Sequence, residues 1–308
     1  MTAEISPALY RAGFGEQVVL LHGFTGAWHH WRPLLSALTA RYEVIAPTLA
    51  GHDGGPPFPE IAVSFASACD SVERHLDDLG LGSAHFVGNS LGGGLALELA
   101  KRGRARSVVA LAPAGGWSDG DGEARRLARF FAQQIRVTRM TARAVPTVMA
   151  RPRSRRLAMR DIMRHGERMS AAEAVDLARA SARCSVSEAA LAALRADSGL
   201  ALRDLDRISC PVLLASPEFD RVLPAERNAQ RFRREIPGVE WRTLPDCGHV
   251  PMWDAPESLV QMIGELVDRS TTTNATNGTA AIRPDPTDGP RRTARSAPTA
   301  VRQAQVGS

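Results

Sequence analysis

The chain has 308 residues, 44% of them hydrophobic and 23% charged, with a formal net charge of +5. That is enough apolar sequence to bury a sizeable core, and the balance excludes a collagen, a coiled coil or a wholly disordered chain. No run of about eighteen apolar residues is present to span a bilayer, and the opening stretch lacks the basic-then-apolar pattern of a secretory signal. Cys69, Cys184, Cys210 and Cys247 follow neither metal-ligand nor disulfide spacing. They read as reduced thiols, and the protein as cytoplasmic.

Charge is unevenly spread. Residues 115–200 hold 16 Arg against 9 Asp and Glu, and residues 270–308 hold 5 Arg against 2 Asp. A mildly acidic body therefore carries a basic middle and a basic tail. No recognised nucleic-acid-binding module accompanies the arginines, so nucleic acid is not an expected partner. A solvated helix face is the ordinary reading of such a run; attraction to an anionic substrate or an acidic surface is the other.

In chain order, Gln17–Leu21, Glu43–Ala46, Ala84–Val87, Val108–Leu111 and Val212–Ala215 are brief, continuous apolar runs, the pattern of parallel strands covered on both faces. Helical candidates lie between and after them at Trp31–Thr39, Ser64–Leu79, Leu91–Lys101 and Pro256–Val267. The alternation predicts an α/β fold with a parallel sheet between helices. From Gly115 to about Leu200 the strand signal disappears, and helices are expected near 121–136, 153–165, 170–183 and 187–196, with Pro146 and Pro152 breaking the run between the first two. Ser170-Ala-Ala-Glu173 is a capping-box pattern. The expected organisation is a core of residues 1–114 and 200–269, a helical cap at 115–199 and a disordered tail at 270–308, where no apolar face remains.

The strongest chemical signal is Gly88-Asn89-Ser90-Leu91-Gly92, a G-x-S-x-G between a strand and a helix. A serine at that turn is held out at the carboxyl edge of the sheet, with glycines where the neighbours must lack bulk. A hydroxyl becomes a nucleophile when a base takes its proton. Of the histidines, His165 and His249 follow Ser90; His165 falls in the arginine-rich block and reads as a surface residue, whereas His249 lies in a loop before the last helix. Its carboxylate partner is expected to be Asp220, directly after the strand Val212–Ala215, with Glu218 as the rival. Asp246 and Asp254 lie too close in sequence to reach behind the ring. The oxyanion donors are expected to be the amides of Leu91 and Phe24, with His22 and His52 as loop-shaping residues.

These segments in the order Ser, Asp, His resemble the α/β-hydrolase superfamily over about residues 10–114 and 200–268. The resemblance implies a mostly parallel, twisted eight-stranded sheet with a helical cap inserted after the sixth strand, although residues 1–16 leave little room for the first two strands. Ser90 stands where the dehalogenase and epoxide-hydrolase branches place an aspartate. The expected activity is therefore hydrolysis of a carboxylic ester with a small to medium apolar acyl group, through an acyl-enzyme on Ser90, with a small-molecule substrate and no cofactor or metal implied. Asn89 and Trp253 resemble the carbon–carbon hydrolases that act on meta-cleavage products, which is the alternative; a non-catalytic binding protein of the same fold is another. Phe130, Phe131, Ile135, Met140, Val145, Val148 and Met149 are the cap residues that could line an acyl pocket or pack the cap on the body.

Overall fold

The computed structural model describes residues 3–59, 62–196 and 200–280. Its sheet has eight strands: β1 (Glu4–Ile5), β2 (Leu9–Ala12), β3 (Gln17–Leu21), β4 (Glu43–Pro47), β5 (Ala84–Asn89), β6 (Ala105–Leu111), β7 (Val212–Pro217) and β8 (Glu240–Leu244). Their order across the sheet is β1-β2-β4-β3-β5-β6-β7-β8. Strand β2 runs antiparallel to both neighbours, and β4 through β8 pair in parallel by way of β3. Both front strands are thus present within the first 16 residues, contrary to the expectation of too little room; they fit because they are only 2 and 4 residues long.

The continuous apolar runs have a direct cause. Alternate residues of one strand enter two different clusters: Val19 and Leu21, Phe86, Val108 and Ala110, and Leu214 on one face, Val18 and Leu20, Val87, Val109 and Leu111, and Leu213 on the other. Helices α2 (Phe65–Asp78) and α3 (Leu91–Lys101) cover the first face, through Phe65, Val72, Leu76, Leu95 and Leu99. Helix α1 (Arg32–Thr39) covers the second through Leu34, Leu35 and Leu38, together with the last helix through Leu259, Ile263 and Leu266. With both faces buried, each strand position is apolar and alternation is lost.

Between β6 and β7 the chain makes α4 (Glu123–Met140), α5 (Val145–Met149), α6 (Pro152–Met159), α7 (Ala171–Arg183) and α8 (Ser187–Ala196). Ser170 caps α7 as its sequence suggests, accepting from Glu173 N while Glu173 reaches back to Ser170 N. Pro146 and Pro152 do not merely interrupt: each sits in the first turn of a short helix, α5 and α6, where a missing N–H costs nothing. After β7 come α9 (Ala225–Asn228) and α10 (Gln230–Glu235), and after β8 the helix α11 (Pro256–Ala280). That helix runs past residue 270, where disorder was expected; the rest of the expected tail, 281–308, lies outside the described residues. Among the described residues no helix is long and apolar enough to cross a membrane.

The turn from β5 into α3 is tightly packed against its neighbours. A side-chain carbon on Gly92 would lie 2.0 Å from the Leu21 carbonyl oxygen, and one on Gly88 2.1 Å from the Gly92 carbonyl oxygen. Backbone cannot yield as a flexible side chain can. Gly92→Ala is therefore expected to cost at least about 3 kcal/mol. Calorimetry should show Tm falling by roughly 10 °C, while Gly82→Ala, with no atom within 4 Å, leaves it unchanged. Equal Tm values for the two variants would refute the close approach.

Candidate active site

Ser90 links β5 to α3 with φ +56° and ψ −115°, a conformation that non-glycine residues seldom adopt. The strain is held by three backbone hydrogen bonds: Ser90 N donates to Leu111 O at 2.9 Å, and Ser90 O accepts from Gly94 N at 3.0 Å and Ala114 N at 2.9 Å. Although Ser90 occupies the N-cap position of α3, its hydroxyl makes no capping bond, so it is left for other use. Leu91, the first residue of α3, has an amide with no acceptor inside the helix.

The loop after β3 passes directly against this turn. A side-chain carbon at Gly23 would sit 3.4 Å from Ser90 Cβ, so the loop runs in van der Waals reach of the serine. His22 sets the loop's shape. Its Nε2 accepts from Leu49 N at 2.9 Å, which places the proton on Nδ1, 2.8 Å from the Gly23 oxygen. Both ring nitrogens are thereby occupied in holding the residue before Phe24. Thr25 then takes φ +63°, and Gly26 N closes the turn on Gly23 O at 3.0 Å. The neighbouring rings of His30 and His52 stand 6.2 and 4.9 Å from that of His22. Burial depresses all three, His30 and His52 to about 4, so each is neutral at pH 7.

Asp220 follows β7 and is brought to His249, after β8, with Oδ2 2.8 Å from Nδ1. Its other oxygen accepts from Val222 N at 2.8 Å and Leu223 N at 2.7 Å, which fixes the carboxylate's direction. Glu218, the rival, faces away from the ring and accepts from Asp246 N at 2.9 Å. His249 Nε2 is buried without a hydrogen-bond partner. The His249 carbonyl accepts from Asn89 Nδ2 at 2.9 Å, and the same amide group lies 3.3 Å from Leu111 O, which ties the histidine's backbone to the residue preceding Ser90. Cys247 is no competing nucleophile, since burial pushes its thiol up to about 12.

Two residues were given no such part by the sequence. Asp254 is buried and takes three backbone donors: Gly248 N at 2.8 Å, Arg164 N at 3.0 Å and His165 N at 2.8 Å. One carboxylate thus fastens the α6–α7 connection to the loop that carries His249. His165, expected on the surface, is half-buried instead and bonds Asp246 at 2.7 Å through Nε2. A carboxylate five residues past a histidine and followed by a helix is the only sequence hint, and it is weak.

Phe24, Ser90 and Leu91 open onto one pocket of about 920 Å³, mouth included. Among the described residues its lining contains no Asp, Glu, Lys or Arg; Leu49, Phe58, Phe65 and Leu223 contribute from the body. Of the seven insertion residues expected as lining or packing, only Phe131 lines it, with its ring edge-on to Phe24 at 5.1 Å. Val145 and Met149 pack in the core, Ile135 in a small cluster with Ala128 and Leu191, and Phe130 against the body, whereas Met140 and Val148 are exposed. The insertion's other contributions, Trp117, Leu127, Val186, Ala190 and Leu194, were not foreseen.

The profile of the alpha/beta hydrolase family matches residues 18–262. A Mycobacterium tuberculosis protein named epoxide hydrolase EphH is 33% identical over 207 residues, 67% of this chain and 96% of that relative. Among solved structures, an esterase from Thermogutta terrifontis superposes with a TM-score of 0.64 at 21% identity, covering 88% of this chain and 99% of the other. A meta-cleavage product hydrolase from Pseudomonas fluorescens IP01 gives a TM-score of 0.64 at 21% identity, covering 88% and 98%. With the sheet order, the strand-to-helix turn and a profile match over most of its length, the chain belongs to the alpha/beta hydrolase family.

Proposed function

We propose that this hydrolase cleaves an uncharged carboxylic ester with a small to medium apolar acyl group, through an acyl-enzyme on Ser90. The observation that carries the reading is the pocket onto which Phe24, Ser90 and Leu91 open, with no charged side chain in its lining among the described residues. Ser90 Oγ attacks the ester carbonyl as His249 Nε2 takes its proton, and Asp220 holds the imidazole's Nδ1–H and steadies the imidazolium. The amides of Phe24 and Leu91 receive the oxyanion. Collapse returns the proton to the leaving alcohol, and His249 then activates a water that releases the acid and regenerates the serine.

The name of the mycobacterial relative does not bring epoxide opening with it. That chemistry, as the family runs it from this turn, needs a carboxylate nucleophile that becomes an alkyl ester, and residue 90 is serine. The carbon–carbon alternative rested on Asn89 and Trp253. Asn89 is occupied with the Leu111 and His249 carbonyls, and Trp253 is not among the residues that line the pocket. Nor is there, among the described residues of the lining, an Arg or Lys to receive an anionic substrate.

The test is fluorophosphonate labelling of the wild type beside Ser90→Ala, with p-nitrophenyl esters of increasing chain length run in parallel. The expected result is labelling in the wild type alone, with kcat/KM rising to a short or medium acyl chain and falling beyond it. Labelling without ester turnover would transfer the assignment to another scissile bond. A folded wild type that takes no label would overturn it.

A further inference from the structure

We infer that the outer face of helices α4 to α6 is a docking surface for an anionic lipid bilayer. Between residues 124 and 160 the chain carries 11 Arg and no Asp or Glu. Two are structural: Arg155, buried and donating to the Met149 and Ala150 carbonyls, and Arg126, which pairs with Glu123 at 2.7 Å and donates to the Val222 carbonyl. Arg136, Arg143, Arg151 and Arg153 are exposed and make no ion pair among the described residues. Arg139 and Arg156 have acidic neighbours, Glu188 at 3.5 Å and Glu167 at 3.9 Å, and are left out of the docking cations.

Charge alone would fit any polyanion, and the exposed apolar groups decide between them. Val137, Met140, Val148 and Leu157 are 48%, 74%, 42% and 62% exposed, half of all the large hydrophobic side chains left exposed among the described residues. They lie between those arginines on three successive helices. A single-stranded nucleic acid would be met by exposed aromatic rings for stacking, and Phe130 and Phe131, the stretch's only aromatic residues, pack inward; a duplex would use the arginines alone and leave the apolar groups without a role. Aliphatic and thioether side chains among cations are instead what the boundary between headgroups and acyl chains accepts. A groove points the same way. Thr138, Ala142, Val145 and Pro146 on one side and Val175, Ala178 and Ala182 of α7 on the other line about 570 Å³, mouth included, and among the described residues its only charged lining side chains are Arg179 and Arg183.

The geometry joins this surface to the pocket. Helix α4 places Leu127 and Phe131 in the lining and Arg136, Val137 and Met140 outside. A protein seated by this face holds one end of the same helix against lipid and the other at its substrate pocket.

Vesicle sedimentation of the full chain tests the inference. The protein should bind phosphatidylcholine vesicles containing about one third phosphatidylglycerol, fail to bind pure phosphatidylcholine, and dissociate as salt is raised. Arg136→Glu, Arg143→Glu, Arg151→Glu and Arg153→Glu together should weaken partitioning by more than about a hundredfold. Met140→Ser with Leu157→Ser should weaken it several-fold, while both variants keep wild-type turnover of a soluble ester. Absence of binding to anionic vesicles at low salt would overturn the inference. So would binding that survives the charge reversal, or binding to duplex DNA alone that those four substitutions abolish.

Discussion

Asp220→Asn should lower kcat about ten-thousandfold, with KM and Tm close to the wild type. The asparagine oxygen can keep the bonds from Val222 N and Leu223 N that Asp220 Oδ1 now accepts. Its NH2 group must then face His249 Nδ1, where the carboxylate oxygen lies 2.8 Å away. A donor there obliges Nδ1 to act as acceptor, and the ring's proton moves to Nε2. The nitrogen that should take the Ser90 proton is then already protonated, and no carboxylate remains to stabilise an imidazolium. Steady-state kinetics on a p-nitrophenyl ester reads the effect. A fall of less than about tenfold would remove Asp220 from the mechanism, and a fall accompanied by a large loss of Tm would make its part structural.

The second large effect is acid lability above the range in which carboxylates titrate. Burial holds His30 and His52 at about 4 in the folded protein, against 6.5 once exposed, and lowers His22 likewise. Above pH 6.5 these rings are neutral in both states and cost nothing. As the pH falls below 6.5 the unfolded chain binds protons that the folded chain refuses, so stability declines from there down to about 4. At pH 5 the loss is about 2 kcal/mol for each of His30 and His52, a large share of a typical stability of 5–15 kcal/mol. Urea unfolding at pH 7 and pH 5 measures it directly. Both ring nitrogens of His30 are buried without partners, so His30→Leu gives up no hydrogen bond and should shrink the difference by about 2 kcal/mol. Equal stability at the two pH values would contradict this account of the cluster.

The positions of Ser90, Asp220 and His249 were readable because each follows a strand and a turn residue, and strand ends collect at one edge of a parallel sheet. The first two strands were not readable, because 2 and 4 residues are too few to show a period. Within the insertion the obstacle was helix phase. Val145 and Met149 look as suited to a pocket as Val186 and Leu194, yet only the second pair lines it. Val186, just before α8, and Ala190 and Leu194 within it recur every four residues, which marks a shared face but not what that face meets. The overrun of the last helix past residue 270 was hidden by threonines and asparagines, whose low helix propensity argues for an end that the structure does not make.

The stitching around Asp254 bears on how freely such a protein can be varied. Val250 N donates to Ile162 O at 2.8 Å, and the Asp254 carboxylate draws on amides from both sides of the join. The bonds are to main chain, so they specify a path rather than particular side chains. Helices α4, α5 and α8 can therefore drift in sequence, or be exchanged for those of a relative, while the loop bearing His249 keeps its place. A graft whose chain misses the path at residues 162–165 would strip that loop of its support and lose turnover along with its old selectivity. Such chimeras should divide into working and dead enzymes according to where they are cut, not according to how similar their pockets are.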